Sequence, residues 1–214
     1  MTQATELDGR RVRGDATRRT VLETAVDLAS AQGLDGLSIG RLADAAGQSK
    51  SGVASLFGAK ERLQLATVAA ARERFVRRVV APARAAHPRG LARVSALVAA
   101  WIDYSRSRVF AGGCFFAATS AEFDSKPGAV RDAVVAALDE WDAYLTRSLA
   151  AAVDAGDLRG DPARLTFEIT ALLDAANARS LRTGTSEPYA VAAASVRDRL
   201  VAAGAPLESV AAIS

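Results

Sequence analysis

Apolar residues recur every three or four positions along almost the whole chain, and no stretch shows the strict alternation of a half-buried strand. The spacing predicts helices over 16–33, 38–46, 49–56, 60–80, 90–108, 111–123, 128–156, 162–182 and 188–203, about nine in all. Breaks fall at 82–90, 126–128, 156–162 and 184–188. Pro82 and Pro88 both resist continuation of a regular helix, so the first break separates a head and its connecting helix from a larger body. The expected class is all-α: a three-helix N-terminal head joined to an antiparallel helical-bundle body.

Residues 38–63, SIGRLADAAGQSKSGVASLFGAKERL, carry the most specific pattern. Ser38 is placed to cap a short helix bearing Ile39, Leu42, Ala43 and Ala46 on one face, and Gly47 ends it where a positive φ is needed. After Gln48, Ser49 caps a second helix whose inner face is Val53, Leu56 and Phe57. Its outer face offers Gln48, Lys50, Ser51, Gly52 and Ser55. Small side chains let a helix lie deep in the DNA major groove, where amides and hydroxyls meet base edges and lysine meets phosphate. Spacing alone also fits an ordinary helical hairpin.

The residues resemble the N-terminal DNA-binding domain of the TetR (tetracycline-repressor-like) family of bacterial regulators. Ser38, Leu42 and Ala43, Ala46 and Gly47, Ser49, Phe57, Lys60, Glu61 and Leu63 match the family string, and 18–33 is similar to the family's first helix with its closing glycine. The likeness is strong over about 15–70 and elsewhere rests on the helical pattern. Departures are Ala54, Ser55 and Leu56 where an aromatic commonly sits, Gly58 and Ala59 in place of a Pro-Ser type pair, and a glycine shifted to position 52. The DNA-contacting set expected is Ser38, Gln48, Ser49, Lys50, Ser51, Gly52, Ser55 and Lys60. Lys60 heads the connecting helix, where the free amides also favour a phosphate. The resemblance implies a domain order of a flexible basic tail at 1–15, the helix-turn-helix at 16–60, and a ligand-binding and dimerisation domain at 61–214. Arg10, Arg11 and Arg13 form either an arm along DNA or a solvated tail diluted by Glu6, Asp8 and Asp15.

Composition narrows the picture further. The chain has 214 residues, is 50% hydrophobic and carries a formal net charge of +3, so it is no polycationic nucleic-acid coat. Local charge is enough for specific binding, and Arg72, Arg74, Arg77 and Arg78 place some beyond the head, unless they are simply a solvated face. Cys114 is the single cysteine, which excludes an intrachain disulfide or a cysteine-based zinc site, and its apolar setting suggests a packed thiol. His87, the single histidine, lies in the break beside Pro88, a setting of linkers rather than catalysis. No signal core or membrane-spanning run is visible, and a cytoplasmic protein without membrane association is expected.

Aromatic residues gather in the middle of the chain: Trp101, Tyr104, Phe110, Phe115, Phe116, Phe123, Trp141 and Tyr144. They form either a solid core or the wall of a small-molecule pocket. The TetR resemblance implies the pocket, with Trp101, Tyr104, Phe115, Phe116, Thr119, Glu122, Phe123, Trp141 and Asn177 as candidate effector contacts. Gly112 and Gly113 permit close backbone approach or begin a helix. By the same resemblance the last two helices, with their small-residue faces, build a homodimer that reads a palindrome-like operator in double-stranded DNA. The implied function is a sequence-specific transcriptional regulator, a repressor released by a small-molecule effector, with no cofactor and no metal. HExxH, Walker A, Rossmann and G-x-S-x-G patterns are all missing, so no catalytic residue is assigned. The alternatives are a helical enzyme or ligand-binding protein using the aromatic body, and a DNA-associated protein without an effector.

Overall fold

The two short helices of the head begin at capping serines. The computed structural model describes residues 2–87 and 89–214, with side chains from Gly14 onward except that of Pro88. The first helix, α1, runs Thr2–Gln32, starting well before the expected position 16. The side chains of Arg10, Arg11 and Arg13 lie outside the described residues. The Ser38 hydroxyl accepts the Arg41 amide to start α2 (Ile39–Ala46), and Gly47 closes it at φ 62°. Ser49 accepts the Gly52 amide at 3.0 Å to start α3 (Lys50–Phe57). Val21, Ala25 and Ala29 of α1 are buried together with Leu42, Val53 and Phe57, which is why three short apolar faces close into one head.

The connecting helix overturns one expectation. α4 (Lys60–Phe75) does not stop near position 80 but continues through a π-helical turn, Val76–Val80, into α5 (Ala81–Ala86). The Ala81 amide reaches back to the Val76 carbonyl, a five-residue step that widens the helix just before Pro82. A proline disrupts a regular helix through its missing amide and its ring. The wider turn accommodates both, so a nearly continuous rod joins head to body.

The body comprises α6 (Leu91–Arg106), α7 (Phe115–Phe123), α8 (Ala129–Asp154), α9 (Pro162–Thr183), α10 (Glu187–Ala202) and a short α11 (Leu207–Val210) that periodicity did not reveal. α9 and α10 pack along their length as a hairpin closed by Gly184 at φ 72°. α11 is held by Ser95 Oγ, which donates to the Ser209 carbonyl at 2.7 Å, and by burial of Val210 and Ile213. Edge-to-face rings form a solid core: Phe75 meets Tyr104 at 5.3 Å and Trp141 at 5.2 Å, and Tyr104 meets Phe110 at 5.5 Å. No helix among the described residues is long and apolar enough to cross a membrane.

Candidate functional site

The outward face of α3 is assembled as its sequence pattern predicts. Val53 and Phe57 are buried and Leu56 is partly so, while Gln48, Lys50, Ser51, Gly52 and Ser55 are exposed. The hydroxyls are partly engaged at home. Ser49 Oγ lies 3.3 Å from Ser51 Oγ, and Ser55 Oγ donates to the Gly52 carbonyl at 3.0 Å, which folds these side chains close to the helix. The result is a low, polar ridge on which Gln48 and Lys50 are the long reaching groups.

Lys60 is placed differently from the expectation of a free phosphate anchor. Its ammonium is 2.9 Å from Asp35 Oδ1, and the other oxygen of the same carboxylate is 3.1 Å from Lys126 Nζ. The two cations, by hydrogen bond and charge, hold the Asp35 carboxyl below the usual carboxylate range. The downstream arginines are also largely absorbed. Arg74 is buried and donates to Asp27 Oδ1 at 2.5 Å, to Glu23, and to the Val109 carbonyl at 3.3 Å. Arg72 bonds Glu140, and Arg77 reaches Glu23 at 3.4 Å. Arg74 is thus a joint between α1, α4 and the α6–α7 loop rather than a DNA-facing charge.

That joint continues along α7. Glu122, expected to face an effector, instead accepts the backbone amides of Leu34 and Asp35 at 2.7 and 2.9 Å. Gln64 donates to the Leu34 carbonyl at 3.1 Å, so the α1–α2 turn is held from α4 and α7 together. Gly112 settles its own role: a Cβ there would lie 1.9 Å from the Ser30 carbonyl oxygen, and its amide donates to Ser30 Oγ at 3.1 Å. The close approach permitted by this glycine is to the head, not within the start of α7.

Alongside the solid aromatic core lies a cavity of about 880 Å³, between α4, the π turn, α6, α7, α8 and α9. Of the expected effector residues, Trp101, Phe116 and Trp141 line it. Tyr104, Phe115, Thr119 and Phe123 are buried in the core beside it, with the Thr119 hydroxyl donating to the Phe115 carbonyl at 2.9 Å. Asn177 is also outside the wall. Its Oδ1 accepts from Ser105 Oγ and from the Cys114 amide, both at 3.1 Å, in a buried network that includes Tyr189 and Arg108. The wall contributions from Phe75, Val76, Val80, Thr170 and Asp174 were missed. Two of them, Val76 and Val80, are the first and last residues of the π turn, which periodicity did not reveal.

Titratable groups in this region depart from ordinary behaviour, Cys114 and Asp174 among them. Burial raises the Cys114 thiol, so it is a packed core group rather than an activated thiolate. Burial also lifts the Asp174 carboxyl to about 6, with the charge of Asp142 adding to the rise.

Comparison with known proteins matches both halves. Residues 21–67 fit the model for bacterial regulatory proteins of the tetR family, and residues 90–196 fit that for the tetracyclin repressor-like C-terminal domain. A TetR transcriptional regulator from Chloroflexus aurantiacus J-10-FL is 27% identical, with 86% of this chain and 93% of that chain covered, at a TM-score of 0.79. A TetR-family regulator from Cytophaga hutchinsonii is 19% identical over 91% of this chain and 98% of its own, at a TM-score of 0.78. The structure of AibR in complex with isovaleryl coenzyme A and operator DNA aligns at a TM-score of 0.62, 21% identical over 74% of this chain and 84% of that one. No curated protein matches the sequence. With the capped helix-turn-helix at its N-terminus and the cavity-bearing bundle behind it, the chain belongs to the TetR family of transcriptional regulators, with a DNA-binding head and a ligand-binding C-terminal domain.

Proposed function

We propose that the chain works as a homodimeric repressor that leaves a palindrome-like operator when a small molecule enters the body cavity. The observation that carries this reading is the physical continuity between the cavity and the reading head. Phe116 and Ser120 of α7 line the cavity, and Glu122 of the same helix holds the turn that precedes α2. A ligand that shifts α7 therefore acts on the head without crossing a loose linker.

On DNA, Gln48, Ser51 and Ser55 read base edges while Lys50 meets phosphate, with Gly52 allowing close approach. Ser38 and Ser49 serve chiefly as caps that present free amides to the backbone. Lys60 adds a phosphate contact when its ammonium leaves Asp35, an exchange that an exposed ion pair permits. The dimer forms through α9 and α10, where Phe167, Leu181 and Val191 are exposed apolar groups with no covering element. An isologous contact there sets two heads on one face of the duplex. AibR, caught with an acyl-coenzyme A and operator DNA, supports the view that this architecture handles both partners in one chain.

Release follows from linkage: an effector that favours a wrongly spaced pair of heads lowers DNA affinity by the factor by which DNA lowers its own affinity. A coupling of about 1–3 kcal/mol gives a roughly five- to 150-fold change. The test is selection of the purified chain on random duplex DNA at near-physiological salt. Enrichment of a two-fold symmetric motif with half-sites about one helical turn apart is expected. Retention without a motif would reduce the protein to a general electrostatic binder.

A further inference from the structure

The cavity wall carries an imbalance of charge that points to the class of ligand. The charged groups facing it are Arg72, Arg84, Arg147, Asp139, Glu140, Asp142 and Asp174. Arg72 and Glu140 are bonded to each other and cancel. Arg84 and Arg147 are exposed, and Arg147 stands over the Tyr144 ring at 5.9 Å. Asp142 of α8 and Asp174 of α9 are exposed at the wall as well, but the charge acting on each is that of another carboxylate, Asp139 on Asp142 and Asp142 on Asp174. Neither has a hydrogen-bond or ion-pair partner among the described residues. The surrounding protein raises both carboxyls above the ordinary carboxylate value.

Two carboxylates facing one cavity without a bonded counter-ion each disfavour the charge of the other. None of the guanidinium groups in the wall bonds either of them. Trp101, Phe116 and Trp141 line the same cavity, and the negative faces of such rings also attract a positive charge. A neutral ligand leaves the imbalance in place, and an anion adds to it. An organic cation with an apolar body removes it, meeting the carboxylates with its charge and the rings with its bulk.

We infer that the effector is an organic cation, such as an alkyl or aryl ammonium, whose charge is held between Asp142 and Asp174 and whose apolar part lies against Trp101, Phe116 and Trp141. This rests on the reading of the cavity as the effector site. The energetic logic is that the charge of the cation offsets the mutual repulsion of the carboxylates. The protonation of Asp174 supplies a second signature: affinity for a cation falls as the pH is lowered through about 6, because the carboxylate it needs is then neutral.

The chain has two tryptophans and both line the cavity, so intrinsic tryptophan emission reports on its contents. The full chain is titrated with benzyltrimethylammonium, with its uncharged carbon isostere neopentylbenzene, and with phenylacetate. The cation is expected to bind roughly tenfold more tightly than the isostere or better. Asp174→Asn and Asp142→Asn, which keep side-chain size, are expected to remove most of that preference while leaving the isostere's affinity unchanged. Equal binding of cation and isostere, or preference for phenylacetate, overturns the cation class and leaves the cavity reading standing. Failure of all three to change the emission overturns the cavity reading itself. Circular dichroism of each variant confirms that a lost preference is not lost folding.

Discussion

Glu122 and Leu34 lie 88 positions apart, yet the carboxylate of the one accepts the backbone amide of the other at 2.7 Å. A second bond to the Asp35 amide makes this a two-pronged clamp, closed from behind by Gly33, where an added Cβ would lie 2.8 Å from Glu122 Oε1. Backbone amides in a turn that make no helical bond need other partners, and a charged acceptor supplies the stronger kind of bond. Bonds to charged groups contribute about 1.5–3 kcal/mol each, and less where one amide is solvent-exposed. Glu122→Ala is expected to lower unfolding free energy by about 2 kcal/mol in urea titration, with Glu122→Gln losing roughly half as much. The same variants should weaken operator binding although Glu122 is remote from α3, because the turn that aims the head is no longer fixed. Unchanged stability and unchanged DNA affinity together would remove the clamp from the mechanism.

Asp35 offers a titration that reports the same junction. Lys60 and Lys126 hold its carboxyl below the ordinary value, Lys60 more strongly. A folded-state value below the unfolded one means that the stabilisation is present above the unfolded value, near 4, and is lost as pH falls through the folded value. Because all three side chains are about half exposed, the energy is small and shrinks with salt. NMR titration of the Asp35 carboxyl should show its midpoint rising toward the ordinary value in Lys60→Ala and, by less, in Lys126→Ala. The second result is the informative one, since Lys126 belongs to the loop after α7 and reaches Asp35 only if body and head stay docked.

Much of this was legible in the sequence because it is local. Ser38, Gly47 and Ser49 announce the helix ends through their own capping chemistry, and the exposed and buried faces of α3 follow from spacing alone. The misassigned groups depend on partners far along the chain. Glu122 and Asn177 read as polar groups in an aromatic stretch, which is true of their neighbours in sequence, but their hydrogen-bond partners come from α1's end and from the α6–α7 loop. Arg74 looks like a surface charge until Glu23 and Asp27 are brought to it. Pro82 read as a stop because a π turn that removes the clash leaves no simple periodic signature. The cavity needed several distant elements to be placed at once, so periodicity found the rings without deciding which of them face empty space.

The α3 ridge separates affinity from preference. Lys50 is the exposed cation on it, whereas Gln48 is exposed with an amide that the proposed function assigns to a base edge. Lys50→Ala should weaken binding to every duplex and reduce the slope of log affinity against log salt by about one, the signature of one lost phosphate contact. Gln48→Ala should change the selected motif at one position per half-site with little change in salt slope. Electrophoretic or anisotropy titrations across a salt series distinguish the two. If Gln48→Ala alters the salt slope and Lys50→Ala alters the motif, their roles have been interchanged.

The proposed dimer contact through α9 and α10 can be tested without touching either the cavity or the reading head. Phe167 is 72% exposed on α9, the largest apolar group left open there, and it lies one residue from Glu168, which is bonded to both Arg164 and Arg199. Its ring gains stability only if another surface covers it, since an exposed phenylalanine contributes little to the fold of its own chain. Phe167→Glu should therefore leave the thermal unfolding of the isolated chain nearly unchanged while shifting sedimentation from dimer to monomer. Operator affinity should then fall steeply, because each half-site must be bound without its neighbour, whereas the response of tryptophan emission to a cavity ligand should persist. A variant that remains dimeric would move the interface away from this face.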